Sequence, residues 1–220
     1  MRKIDKTLML ATVYKAWLDK LIMDNQEHPP YTSSKGRFYY DIIANLIWVQ
    51  KGLCAYTERR LQNHASFDFC NWKKGRYRKC EFAGELDHYD NTLKEKYGWL
   101  WNNLFLIDAD VNVKSKRTNR PNGLLKPDLP NFNSFDLLEY DLSNHFFIPN
   151  RKQDFDTQIL IKEDITYLGI NFQPITDIRR EYLSPFIERV RYEQQTFDEA
   201  YLELNQFFTA FEMSRSYMER

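Results

Sequence analysis

Cysteine is scarce in this chain. Only Cys54, Cys70 and Cys80 occur among 220 residues, an odd number without a secreted-scaffold spacing, which argues against a disulfide framework. Net charge is missing altogether. The 31 Lys and Arg residues are matched by 31 Asp and Glu, so no global field draws the protein to nucleic acid, and such affinity must come from local patches. No apolar run is long enough to span a bilayer. The opening Met1-Arg2-Lys3-Ile4-Asp5-Lys6 leads into an amphipathic segment with charges throughout, unlike the apolar run of a signal peptide. Internal repeats and low-complexity tracts are absent. These absences give the expectation of a cytoplasmic protein with no membrane partner. What is present is enough for a core: 43% of residues are hydrophobic and 16% aromatic. The length suits one compact domain, or a small catalytic core with helical extensions.

Three regions differ in texture. In residues 1–51, Leu8, Leu10, Val13, Trp17, Leu18 and Leu21 recur at helical spacing and predict a helix from about Thr7 to Met23. His28-Pro29-Pro30 and Ser33-Ser34-Lys35-Gly36 mark a break. A second helix is predicted from Arg37 to about Gln50, with Gly52 placed to stop it. In residues 52–126 the expected order is strand (Glu85 to Tyr89), polar connector (Asn91 to Tyr97), strand (Leu104 to Ile107) and helix (Ala109 to Arg117), with Asp108 as N-cap. Residues 127–220 read as a mostly helical extension. It holds a short strand from Asn144 to Ile148 ending at Pro149, then helices at about Ile175 to Gln195, kinked at Pro185, and Phe197 to Met213.

The chemistry concentrates in Asp87-His88, followed by Asn103 and Asn112. An imidazole can deprotonate water, while a carboxylate and an amide oxygen can hold a hard dication against a phosphate. Oxygen ligands suit Mg²⁺ or Mn²⁺, whereas zinc would want more thiolate or imidazole. Asp108 and Asp110 also invite a metal role, although an N-cap role for Asp108 and a solvent-facing one for Asp110 are favoured. Glu85 shares the strand face of Asp87 and could join the site or pair with a nearby cation. His64, Cys70 and Cys80 match no short-loop zinc spacing with Cys54.

The ordered triplet resembles the HNH endonucleases, whose site is a ββα-metal fold. The resemblance spans Cys54 to about Arg117, under a third of the chain. It implies an α+β fold, with a small ββα-metal core embedded between N-terminal and C-terminal helices. It further implies His88 as general base, Asp87 and Asn112 as ligands of Mg²⁺ or Mn²⁺, and Asn103 beside His88 in a positioning role. Many HNH proteins carry two Cys-x-x-Cys pairs for a structural zinc. Here those positions read Cys54-Ala55-Tyr56-Thr57 and Asp108-Ala109-Asp110-Val111, so no structural zinc is expected. Cys54-Ala55-Tyr56-Thr57-Glu58 and Ile165-Thr166-Tyr167-Leu168-Gly169-Ile170-Asn171, before a helix with Arg179-Arg180, resemble the nuclease subunit of Septu-type and retron-associated anti-phage systems. That resemblance implies an ABC-type ATPase partner.

Two basic clusters are candidates for nucleic-acid contact: Lys73, Lys74, Arg76 and Arg78 among aromatics, and Lys114, Lys116, Arg117 and Arg120 after Asn112. The expectation is therefore a phosphodiester hydrolase. Two alternatives stay open: a catalytically silent scaffold that binds nucleic acid or a protein, and a stand-alone restriction-type nuclease.

Overall fold

The structure, a computed structural model, describes residues 1–24, 31–61, 72–73, 76–77, 84–116 and 120–218, with only the backbone at 31–37, 72–73 and 76–77. It is a mixed α+β fold. Helices α1 (Val13–Met23) and α2 (Tyr31–Val49) are followed by two short strands, β1 (Trp72–Lys73) and β2 (Arg76–Tyr77). Then come β3 (Gly84–His88), α3 (Lys94–Tyr97), β4 (Leu104–Asp108) and a π-helical turn, Val111–Lys116. The C-terminal region holds α4 (Ser134–Leu137), β5 (Leu138–Asp141), β6 (Phe146–Pro149), α5 (Phe155–Tyr167) and α6 (Gln173–Arg191). Helices α7 (Phe197–Glu203), α8 (Phe208–Met213) and α9 (Arg215–Met218) close it. Among the described residues the strands form three antiparallel pairs, β1–β2, β3–β4 and β5–β6. Among the described residues no helix is long and apolar enough to cross a membrane.

Helix α1 starts later than its periodicity predicts. Asp5 Oδ1 takes the Thr7 N–H at 2.9 Å, and Asn45 Oδ1 takes the Leu10 N–H at 2.6 Å. Thr7 and Leu10 thus spend their backbone donors on side chains, and the helix begins where Thr12 Oγ1 accepts from Lys15 N at 3.2 Å. Helix α2 runs through the expected break at Ser33–Gly36. Its buried face of Phe38, Ile42, Ile43, Leu46 and Ile47 outweighs the modest propensity cost of those residues. The stop is a Schellman motif. Lys51, at φ 55°, takes the left-handed position and donates to Trp48 O at 3.1 Å, while Gly52 donates to Ile47 O at 2.8 Å. Gly52 therefore sits one place beyond the position usual for a stopping glycine.

Strand β4 is buried along its whole length. One edge pairs with β3, in the register Glu85↔Ile107 and Asp87↔Phe105. On the other edge Gln50 imitates a strand. Its Oε1 accepts from Leu106 N at 2.9 Å and its Nε2 donates to Leu106 O at 2.7 Å, an oxygen that Ala55 N also reaches at 3.1 Å, so both Leu106 backbone groups are paired. Lys6 staples the start of β4. Its Nζ donates to the carbonyls of Trp101 at 3.0 Å and Leu104 at 2.7 Å, lies 3.2 Å from Asp128 Oδ2, and sits 3.6 Å from the Phe105 ring centroid.

The C-terminal region departs most from expectation. Strand β6 is present, but its partner β5 and the whole of α5 went unread in the sequence. Phe155, Ile159 and Leu160 face solvent at 76%, 43% and 40% exposure, which blurs the helical period. Of the two expected closing helices, the first is α6 and the second splits into α7 and α8, with α9 beyond it. Glu58 O accepts from Phe207 N at 3.2 Å, and Glu58 Oε2 accepts from Thr209 N at 2.9 Å. With Phe207 at φ 55°, these bonds interrupt the second helical pattern. One hydrophobic cluster draws on all three regions, from Met1 to Met218.

Candidate metal and catalytic centre

Side chains alternate along β3, so Glu85 and Asp87 share one face while Leu86 and His88 take the other. The turn Val111–Lys116 lies over the acidic face. Asn112 Nδ2 donates to Glu85 Oε2 at 2.9 Å, and Lys116 Nζ stands 3.1 Å from Asp87 Oδ1 while donating to the His88 carbonyl at 2.9 Å. Residues four apart in a helix with i→i+5 bonding project in nearly the same direction, so two side chains of the turn match two on the strand.

Three anchors fix the turn. Asp108 Oδ1 accepts from Asp110 N at 2.9 Å and Val111 N at 3.3 Å, the expected capping role, while Oδ2 meets Arg59 Nη1 at 2.6 Å. From the C-terminal region, Ser115 Oγ donates to Thr166 O at 3.4 Å. Gly169, at φ 65°, comes so close that a Cβ there would lie 2.7 Å from Ser115 Oγ and 2.9 Å from Val111 Cγ1.

Asp87 is 3% exposed. Tyr56 Oη donates to its Oδ2 at 2.6 Å, and Lys116 holds the other oxygen. Tyr56 and Lys116 are both fully buried. Burial, followed by the charge of Asp87, pushes the Tyr56 phenol well above its ordinary pKa, so it stays a donor. His88 Nε2 lies 2.8 Å from the Gly98 carbonyl. A carbonyl only accepts, so the proton sits on Nε2 and the neutral ring carries its lone pair on Nδ1. Burial lowers the His88 pKa below the ordinary histidine value, against the pull of that carbonyl. Asn103 is 3% exposed and clamps the turn after β3. Its Oδ1 accepts from Asp90 N at 2.8 Å, and its Nδ2 donates to Asp90 O at 2.9 Å.

Lys116 is a correction. It was expected at a phosphate, yet its ammonium is 0% exposed, because Asp87 and the His88 carbonyl draw it beneath the turn. Lys114 is exposed and pairs with Asp110 at 2.7 Å, and Arg120 is exposed and 3.3 Å from Asp90 Oδ2. Lys73 and Arg76 are cross-strand partners in the β1–β2 register. Lys74, Arg78 and Arg117 lie outside the described residues, as do His64, Cys70 and Cys80. Cys54 is a buried core thiol whose Sγ accepts from Asp108 N at 3.3 Å.

Sequence reasoning gave no role to Tyr56 or Gly98, and it placed Lys116 at a phosphate instead of on Asp87. Tyr56 was in view within Cys54–Glu58, and Lys116 follows Asn112 by one helical turn. Among the described residues no group of three or more His, Cys, Asp or Glu side chains is arranged to hold a metal. The local donor set is Asp87, the Asn112 amide and the adjacent Glu85. It suits Mg²⁺, which is commonly held by one or two carboxylates and keeps several waters. Both oxygens of Asp87 are already engaged, by the Lys116 ammonium and the Tyr56 hydroxyl. Neither the protein-family models nor the curated proteins yield a match to this chain.

Proposed function

We propose that this chain is a metal-dependent endonuclease of HNH type, built on a ββα-metal core and hydrolysing nucleic-acid phosphodiester bonds. The supporting observation is the orientation of His88, the residue after Asp87, whose Nε2–H is tied to Gly98 O at 2.8 Å. Bound to Asp87 and Asn112, Mg²⁺ or Mn²⁺ would neutralise charge on the scissile phosphate and stabilise the leaving oxygen. His88 Nδ1 takes the proton of the attacking water, and burial keeps the ring neutral for that task. Asn103 holds the backbone of Asp90 and with it the end of β3. Glu85 engages the amide nitrogen of Asn112, which leaves Oδ1 as the ligating atom. Lys114, exposed within the turn, and the exposed Arg120 receive the flanking phosphates.

The proposed setting is anti-phage defence beside an ABC-type ATPase. It rests on the resemblance carried by Cys54–Glu58 and Ile165–Asn171. A silent binding scaffold is the second reading, favoured by one observation: Tyr56 and Lys116 already satisfy both oxygens of Asp87. Incubating plasmid DNA and total tRNA with Mg²⁺, Mn²⁺ or EDTA separates the two. The nuclease reading expects metal-dependent cutting in wild type and at least a hundredfold loss in His88→Ala. Equal cutting by both proteins, or none by either with or without the ATPase, supports the scaffold.

A further inference from the structure

Lys116 stands where a cation for Asp87 belongs. Its side chain is 0% exposed, its Nζ is 3.1 Å from Asp87 Oδ1, and the His88 carbonyl accepts from it at 2.9 Å. Tyr56 fills the other carboxylate oxygen at 2.6 Å. A Mg²⁺ ion binds an oxygen at about 2.0–2.1 Å and wants the lone pairs around it. An ammonium on that oxygen repels the ion and occupies its direction of approach. We infer that Lys116 is a built-in competitor for the metal, so a divalent cation binds Asp87 only when the ammonium withdraws. This rests on the metal-dependent reading above.

The elements that would move are already joined. Lys116 ends the turn that carries Asn112, so the ligand and the competitor travel on one short element. Release of Lys116 leaves the Asn112–Glu85 contact one turn upstream, and the His88 carbonyl then loses its donor. The far side of the turn is packed on Gly169 and Thr166 of the C-terminal region. A shift there, such as one imposed by a bound partner, is conveyed directly to Lys116.

The test is amine footprinting of the full chain with acetic anhydride, read by mass spectrometry, alongside Mn²⁺ binding followed by electron paramagnetic resonance. Competition expects Lys116 to be protected without metal and to label at least tenfold faster at saturating Mg²⁺, while Lys114 labels equally in both. It also expects Lys116→Met to bind Mn²⁺ at least tenfold more tightly than wild type. Should Lys116→Met fail to fold, the footprint on wild type decides alone. Lys116 remaining protected while Mn²⁺ binds through Asp87 (binding lost in Asp87→Asn) overturns the competition and leaves the metal site standing. No Mn²⁺ binding by any folded form overturns both the competition and the metal-dependent reading.

Discussion

At the scale of single residues, the site is a set of satisfied polar groups in which each partner has a cost of removal. Tyr56→Phe deletes a hydrogen bond to a buried carboxylate and is expected to destabilise the fold by about 1.5–3 kcal/mol. Urea unfolding measures this, and a change under 0.5 kcal/mol would mean that the 2.6 Å contact carries little. Asn103→Ala removes two bonds to the Asp90 backbone. About 2–4 kcal/mol of lost stability is expected from the unpaired peptide groups, with a further loss of cleavage as the end of β3 loosens. Asp87, His88, Asn103 and Asn112 were singled out by residue type and order; the structure puts Asp87 and His88 on β3 and Asn112 in the turn after β4, and their chemical roles are the proposal made above. Lys116 was misread for a physical reason. A lysine after a ligand looks like a phosphate contact, and only packing shows that the helix turns it inward to a buried carboxylate.

At the scale of elements, one glycine joins the C-terminal region to the site. Gly169 combines φ 65° with a Cβ position already occupied by Ser115 and Val111. Gly169→Ala is expected to cost about 2–4 kcal/mol, the sum of left-handed strain and overpacking. Gly123→Ala is the control, since φ is 106° there but nothing lies within 4 Å. It carries backbone strain alone and should leave the site intact. Thermal unfolding measures the Gly169→Ala cost, and a loss under about 1 kcal/mol would show that close packing at Gly169 is unimportant. Helix α2 was readable from its period, β4 as an apolar run and β3 as a short strand before it. Helix α5 was not, because Phe155, Ile159 and Leu160 break the apolar stripe by facing out. Strand β5 has only four residues, too few to distinguish its alternation from that of a loop.

At the scale of the whole molecule, the chain without net charge organises itself around buried ion pairs that tie distant segments together. Lys6 joins the N-terminal segment to β4 and to Asp128. Burial lowers its pKa to about 7, against the opposing pull of Asp128. Between that value and its ordinary 10.5, the unfolded chain holds a proton that the folded chain has released. Stability should therefore rise with pH across this window, by up to about 1.4 kcal/mol per pH unit. Lys6→Met should remove that slope, and urea unfolding from pH 7 to 9 checks it. The same slope in both proteins would place the effect elsewhere. The most direct test of the central claim is single-turnover cleavage of an end-labelled nucleic acid with Mg²⁺, comparing wild type and His88→Ala matched in circular dichroism and melting temperature. Metal-dependent cutting that falls at least a hundredfold in the folded variant is the expected result. A folded His88→Ala that cuts as fast as wild type would contradict the claim.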